Sequence, residues 1–142
     1  MHRIGIAGYG LVGRHMQSLF PDAKIFDRYT GPKDDLNGLD FIFVCVPTPW
    51  TEDGLDCSEV ENVIATFDAK CFVIRSTTKV GFVDHLEEKY QKNIISQPEY
   101  LGESPNHSQT NVKQPPFLVL GGRPENRRKV IELYATIYNS DI

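Results

Sequence analysis

No stretch of this sequence is long enough and apolar enough to cross a bilayer. The longest apolar run, Phe41 to Val46, falls far short of the roughly 20 residues a spanning helix needs. Met1-His2-Arg3 leads at once into strand-like residues, which leaves no room for a signal peptide. Cysteine is scarce: Cys45, Cys57 and Cys71 are an odd number without C-x-x-C spacing, which excludes a disulfide framework and fits reduced thiols in the cytoplasm. His2, His15, His85 and His107 show no zinc-type spacing, so no metal is expected. Basic stripes are missing as well. With a net charge of −4, a pI near 5.5 and Arg127-Arg128-Lys129 as the densest basic run, neither nucleic acid nor a membrane is an expected partner. There is no internal repeat and no low-complexity tract.

What remains is the composition of an ordinary globular chain. Hydrophobic residues make up 40% and charged residues 24% of 142 positions, enough apolar surface for one core and too short a chain for two domains. Residues 1–142 are therefore read as a single domain.

The most informative stretch is Ile4 to Gly13, where Gly8, Gly10 and Gly13 stand at G-x-G-x-x-G spacing between a strand pattern and a helix pattern, the context in which that motif carries meaning. Gly8 permits a tight turn, Gly10 lets a diphosphate approach bare backbone, and Gly13 lets the helix pack closely on the sheet. The helix amino terminus then presents unpaired N–H groups and the positive end of its dipole to an anion. Lys24-Ile25-Phe26-Asp27 forms a second strand ending in a carboxylate 19 residues beyond Gly8. An acid at that distance pairs with adenosine ribose hydroxyls and repels a 2′-phosphate, favouring NAD over NADP.

Further along, apolar runs and helix stripes alternate. Val12, Met16, Leu19 and Phe20 mark a first helix ended by Pro21. The segment Arg28 to Leu39 is polar and barely long enough for a parallel crossover, so a loop is expected there. Leu39 to Val46 is a strand buried on both faces, stopped by Pro47-Thr48-Pro49-Trp50. Ser58-Glu59-Val60-Glu61 reads as a capping box opening a helix that ends near Ala69. Cys71 to Arg75 is a fourth strand, Asn93 to Ser96 a fifth and Phe117 to Leu120 a sixth, with helices through Val83, Leu86 and Tyr90 and through Val130, Leu133, Tyr134 and Ile137, the latter opened by Pro124. Glu99 and Glu103 share a face if their segment is helical. The pattern predicts a doubly wound, six-stranded parallel sheet of Rossmann type, order 3-2-1-4-5-6.

Cys45-Val46-Pro47-Thr48-Pro49, Arg75-Ser76-Thr77-Thr78-Lys79-Val80-Gly81 and Gln97-Pro98-Glu99-Tyr100-Leu101-Gly102-Glu103 resemble, in order, three signature segments of the UDP-glucose/GDP-mannose 6-dehydrogenase family. With the glycine motif the resemblance covers residues 3 to about 138. It implies an amino-terminal NAD-binding domain of enzymes that oxidise the C6 alcohol of a nucleotide sugar to a carboxylate. It implies NAD contacts at Gly8, Gly10, Leu11, Val12, Gly13, Asp27, Val46, Pro47, Thr48, Ser76 and Thr77, and catalytic roles for Thr77, Glu99 and Glu103 in holding and activating a water. Partners implied are the dinucleotide, a nucleotide sugar, and further copies or a companion subunit.

The sequence departs from the family at several points. The family's cysteine nucleophile belongs to later domains that residues 1–142 are not expected to contain, and none of Cys45, Cys57 or Cys71 matches it. The segment between the second and third strands is shorter than the family's, which affects the outer wall of the adenosine pocket. Gln97 stands for an asparagine and Gly102 for an arginine. Three readings stay open: the cofactor half of a nucleotide-sugar dehydrogenase; a non-catalytic dinucleotide-binding regulator, sequestering protein or assembly partner; and complete activity through a companion subunit that supplies the cysteine.

Overall fold

The computed structural model describes residues 1–100 and 117–138. Five parallel strands form the sheet: β1 (Ile4–Ala7), β2 (Lys24–Phe26), β3 (Leu39–Val44), β6 (Ala69–Ile74) and β7 (Ile94–Ser96). A two-stranded hairpin, β4 (Trp50–Thr51) and β5 (Gly54–Leu55), follows β3. Helices α1 (Leu11–Leu19), α2 (Ser58–Thr66), α3 (Phe82–Tyr90) and α4 (Pro124–Ala135) cover the two faces. Among the described residues no helix is long and apolar enough to cross a membrane.

Alternation along the strands builds two cores. Ile42 and Val44 with Phe72 and Ile74 face one way, against Val60, Val63 and Ile64 of α2 and Leu86 of α3. Phe41 and Phe43 with Cys71 and Val73 face the other, against Met16 and Leu19 of α1 and Val130, Leu133 and Tyr134 of α4. Every residue of β3 is buried, as a strand covered on both faces requires.

Four expectations are corrected. The sheet order is β2-β1-β3-β6-β7, so the third parallel strand lies beside β1 rather than outside β2, giving the 2-1-3-4-5 order of the other doubly wound class. The cause is the short polar segment after β2. It hooks back along that strand's outer edge, where Asp27 N–H donates to Pro32 O at 2.9 Å and Asp34 N–H to Ile25 O at 3.0 Å, satisfying edge groups that would otherwise invite another strand. Leu36, fully buried, pins the hook to the core.

The sixth strand does not form. Phe117 and Val119 are 47% and 43% exposed, Leu118 and Leu120 pack against the core without pairing as a strand, and Gly121 makes a lone antiparallel bridge to Ser96. Nor does the capping box: α2 has no side-chain cap from Ser58, the Asp56 carboxylate takes the Ser58 N–H at 2.9 Å, and Glu61 is drawn away to Lys89 and Tyr90 of α3. That helix ends at Thr66, and Ala69 already belongs to β6.

Asp40 of β3 ties the amino end of the sheet together, accepting Arg3 N–H at 2.7 Å and pairing with Lys70 Nζ at 2.9 Å. The Arg3 N–H and the Lys70 ammonium bring its carboxyl down from 3.8 to about 2. A carboxyl with a lowered folded pKa stabilises the fold fully above its unfolded value and loses that contribution as pH falls. Asp40→Asn should therefore flatten the decline in stability between pH 3.8 and about 2; an unchanged acid-unfolding profile would contradict this.

Candidate functional site

The carboxyl ends of β1 and β3 flank the point where strand order reverses, and β1 leads directly into the glycine turn. Gly8 has φ +97°, and a Cβ there would lie 2.6 Å from Cys45 O and 2.9 Å from Val46 N, so both backbone conformation and close approach require glycine. At Gly13 a Cβ would lie 2.0 Å from Gly8 O, which is how close α1 sits against the turn. Gly10 differs. It caps α1, and a Cβ there would meet nothing within 4 Å. Among the described residues no side chain caps α1, and its first turn carries no acid, leaving bare N–H groups at the positive end of the helix.

These residues border a cavity of about 650 Å³. The glycine turn supplies Gly8, Gly10, Leu11 and Val12; the β2 end, Asp27; the β3 exit, Val46, Pro47 and Thr48; the β6 exit, Ser76 and Thr77; and the β7 exit, Glu99. Gly13 packs beneath the turn instead of lining the cavity. Glu103 and His107 lie outside the described residues.

The polar groups are already engaged in specific ways. Asp27 accepts N–H from Tyr9 at 2.8 Å, Tyr29 at 2.9 Å and Thr30 at 2.8 Å. Burial disfavours its charge, but the N–H groups of Thr30, Tyr9 and Tyr29, with Lys33 nearby, outweigh that and hold the carboxyl below its ordinary value. Since a carboxylate offers about four acceptor positions, roughly one remains for a ligand. The Ser76 hydroxyl donates to Val46 O at 2.6 Å, stitching the β6 exit to the β3 exit.

Arg75, given no role in the sequence reading, pairs with Glu99 at 2.5 Å, the two side chains being 8% and 16% exposed. Its signal was available: a charged residue closing the apolar run Cys71 to Ile74 must find a partner when the strand is buried. Breaking such a pair by removing one member leaves the other charge stranded, at a cost of about 3 kcal/mol. Glu99→Gln should lower stability by that order in urea unfolding, with part recovered in the Arg75→Met/Glu99→Gln double variant. A single variant as stable as the parent would refute the pairing's importance.

Two further cavities adjoin. One of about 370 Å³ lies between the β2 end and α2, sharing Gly8, Asp27, Tyr29, Val46 and Pro47 with the first; another of about 500 Å³ lies between the β6 and β7 exits, sharing Ser76, Thr77 and Glu99. The hairpin carrying Trp50, 80% exposed, lies outside the expected strands, although Asp53-Gly54 is a turn signal.

A doubly wound sheet with a glycine cradle at its switch point defines a dinucleotide-binding domain. Residues 22–139 match the model of the UDP-glucose/GDP-mannose dehydrogenase family, NAD binding domain. The chain belongs to that family and its cofactor is NAD. The match begins beyond the glycine turn, whose assignment therefore stands on its own geometry.

An uncharacterised protein of Methanocaldococcus jannaschii is 34% identical over 121 residues, covering 78% of this chain and 13% of that protein. The UDP-D-ManNAc dehydrogenase of Pyrococcus horikoshii superposes with a TM-score of 0.78 at 18% identity, over 99% of this chain and 46% of its own. The GDP-mannose dehydrogenase of Pseudomonas aeruginosa, solved as a ternary complex, does so with 0.69 at 21%, over 95% and 44%. At these identities the structural likeness is one of fold. The chain spans less than half the length of each of these three proteins.

Proposed function

We propose that this domain is the cofactor half of a nucleotide-sugar 6-dehydrogenase, holding NAD for oxidation of a UDP-glucose- or GDP-mannose-type C6 alcohol. The observation that carries the reading is the convergence of the glycine cradle, Asp27, Thr48, Thr77 and Glu99 on one continuous crevice. The fit to the cofactor rests on the cradle itself: two glycines whose Cβ atoms would collide with backbone, and a third that leaves open space before bare helix N–H groups.

NAD, when bound, supplies a hydride acceptor. The α1 terminus and Gly10 hold the diphosphate, with Leu11 and Val12 following in the first helical turn. Asp27 accepts from one ribose hydroxyl with its remaining lone pair. Val46, Pro47 and Thr48, with Ser76 and Thr77, border the opposite end, where Thr77 and Glu99 orient a water. Arg75, paired with Glu99, holds that carboxylate in place for the task. Glu103 is proposed as the second acid of the same loop.

The thiol nucleophile of the family reaction is assigned to a region other than these residues. Burial pushes the Cys45 and Cys71 thiols up to about 12, and thiolate is the reactive form. Cys57 is buried beside α2. The second reading is a non-catalytic dinucleotide-binding regulator, sequestering protein or assembly partner. Turnover of UDP-glucose or GDP-mannose with NAD by the purified chain would rule the second reading out. Calorimetric titration with NAD tests the first: saturable binding is expected, and no heat at millimolar cofactor would overturn it.

A further inference from the structure

The cavity of about 370 Å³ between β2 and α2 has a volume within the range of small-ligand pockets, roughly 300–1,000 Å³. Its floor is apolar, built from Phe26 and Phe67, whose rings meet edge to face at 5.2 Å, together with Val46 and Val63. It opens through Gly8 and Asp27 into the larger cavity bordered by the α1 terminus. A ligand whose diphosphate sits at Gly10 can therefore lay one flat ring into this slot, while its other end lies among the hydroxyls and the Arg75–Glu99 pair.

The side of the slot facing away from the sheet's centre presents a structural problem. β2 is an edge strand, and the chain after it returns along that edge instead of building a further strand, so no sheet element walls the slot. The side chain of Tyr29 reaches across the slot at this side. Tyr29 borders both cavities, and its hydroxyl donates to the carboxylate of Glu59 in the first turn of α2, linking the loop after β2 to the helix across the slot. Its own N–H is fixed to Asp27 at 2.9 Å, and the Arg28 guanidinium lies 5.7 Å from its ring centroid. Yet Tyr29 is 66% exposed, so hydrophobic burial in the core does not explain why this side chain is held in place.

We propose that Tyr29, latched to Glu59, is the outer wall of the base subsite, its ring packing against the purine of the adenosine half of the dinucleotide. This rests on the dinucleotide reading above and adds a residue from the short segment after β2. Aromatic rings bind nucleobases by stacking without needing a particular hydrogen-bond pattern. The Glu59 latch holds the ring in advance, so less of its freedom is lost on binding.

The test compares ADP, which carries base and diphosphate, with inorganic pyrophosphate, which carries only the latter. Tyr29→Ala should weaken ADP about tenfold or more, the loss of one base stack, and leave pyrophosphate unchanged. The alanine keeps the backbone N–H that Asp27 accepts, and the position is exposed, so folding is preserved. Tyr29→Phe, which retains the ring without its latch, should fall between parent and alanine variant. In NMR spectra the Tyr29 ring protons should shift with ADP and stay still with pyrophosphate. Equal ADP affinity in parent and Tyr29→Ala, or an unmoved ring, would overturn the wall while leaving the cradle intact. Failure of the parent to bind either ligand would overturn the dinucleotide reading, and this inference with it.

Discussion

Replacing Gly10 with valine should leave the domain folded and reduce NAD affinity by roughly 100-fold or more. The two halves of that expectation come from one measurement of space. A Cβ at Gly10 meets nothing within 4 Å, and its φ of −83° suits any L-residue, so the substitution costs at most about 1 kcal/mol through a poorer helix cap. The space it fills is the approach to the bare N–H groups of α1, where a diphosphate must come within hydrogen-bond reach. Thermal melting and calorimetry on the same preparation check both. Retained NAD affinity in a folded Gly10→Val protein would mean that the diphosphate binds elsewhere.

Gly13→Ala should do the opposite, acting first on the fold. The added methyl would sit 2.0 Å from Gly8 O and 3.0 Å from Gly8 C. Both atoms are backbone, so no side-chain rotation relieves the clash. Either α1 lifts from the sheet, loosening Met16 and Leu19 from their core against Phe41 and Phe43, or the turn at Gly8 opens. We expect a loss of about 3 kcal/mol, at the upper end for overpacking, and a melting temperature lowered by roughly 10 °C. A variant melting within about 2 °C of the parent would show that the helix has slack at this point. The pair of variants separates two glycines that are equivalent as letters in a motif: one faces open space before the α1 N–H groups, the other leaves room for a carbonyl.

Much of the site was readable because it depends on local pattern. The continuous apolar run at β3, the alternation of strands with helical stripes, and the placement of Thr48, Thr77 and Glu99 just after strands all follow from residue order, since parallel strands bring their carboxyl ends to one edge. The capping box at Ser58 failed for the complementary reason. Its local bond was worth little, and Glu61 found a lysine and a tyrosine on α3 that no local pattern reveals. Asp27 stands at the end of β2 as its spacing predicts, but that its carboxylate also accepts three N–H groups from the neighbouring loop and the glycine turn depends on the closed fold. The pairing of Glu99 with Glu103 falls outside the described residues.

By itself the sequence determined that this protein is a doubly wound α/β domain with a phosphate cradle at its first turn, because strand, helix and glycine-turn preferences act over a few residues. Only the tertiary structure decided that β3 lies beside β1, that β2 is an edge, that Arg75 holds Glu99, and that Tyr29 reaches Glu59. Each of these joins residues far apart in the chain. Such contacts depend on which partners the closed fold brings together.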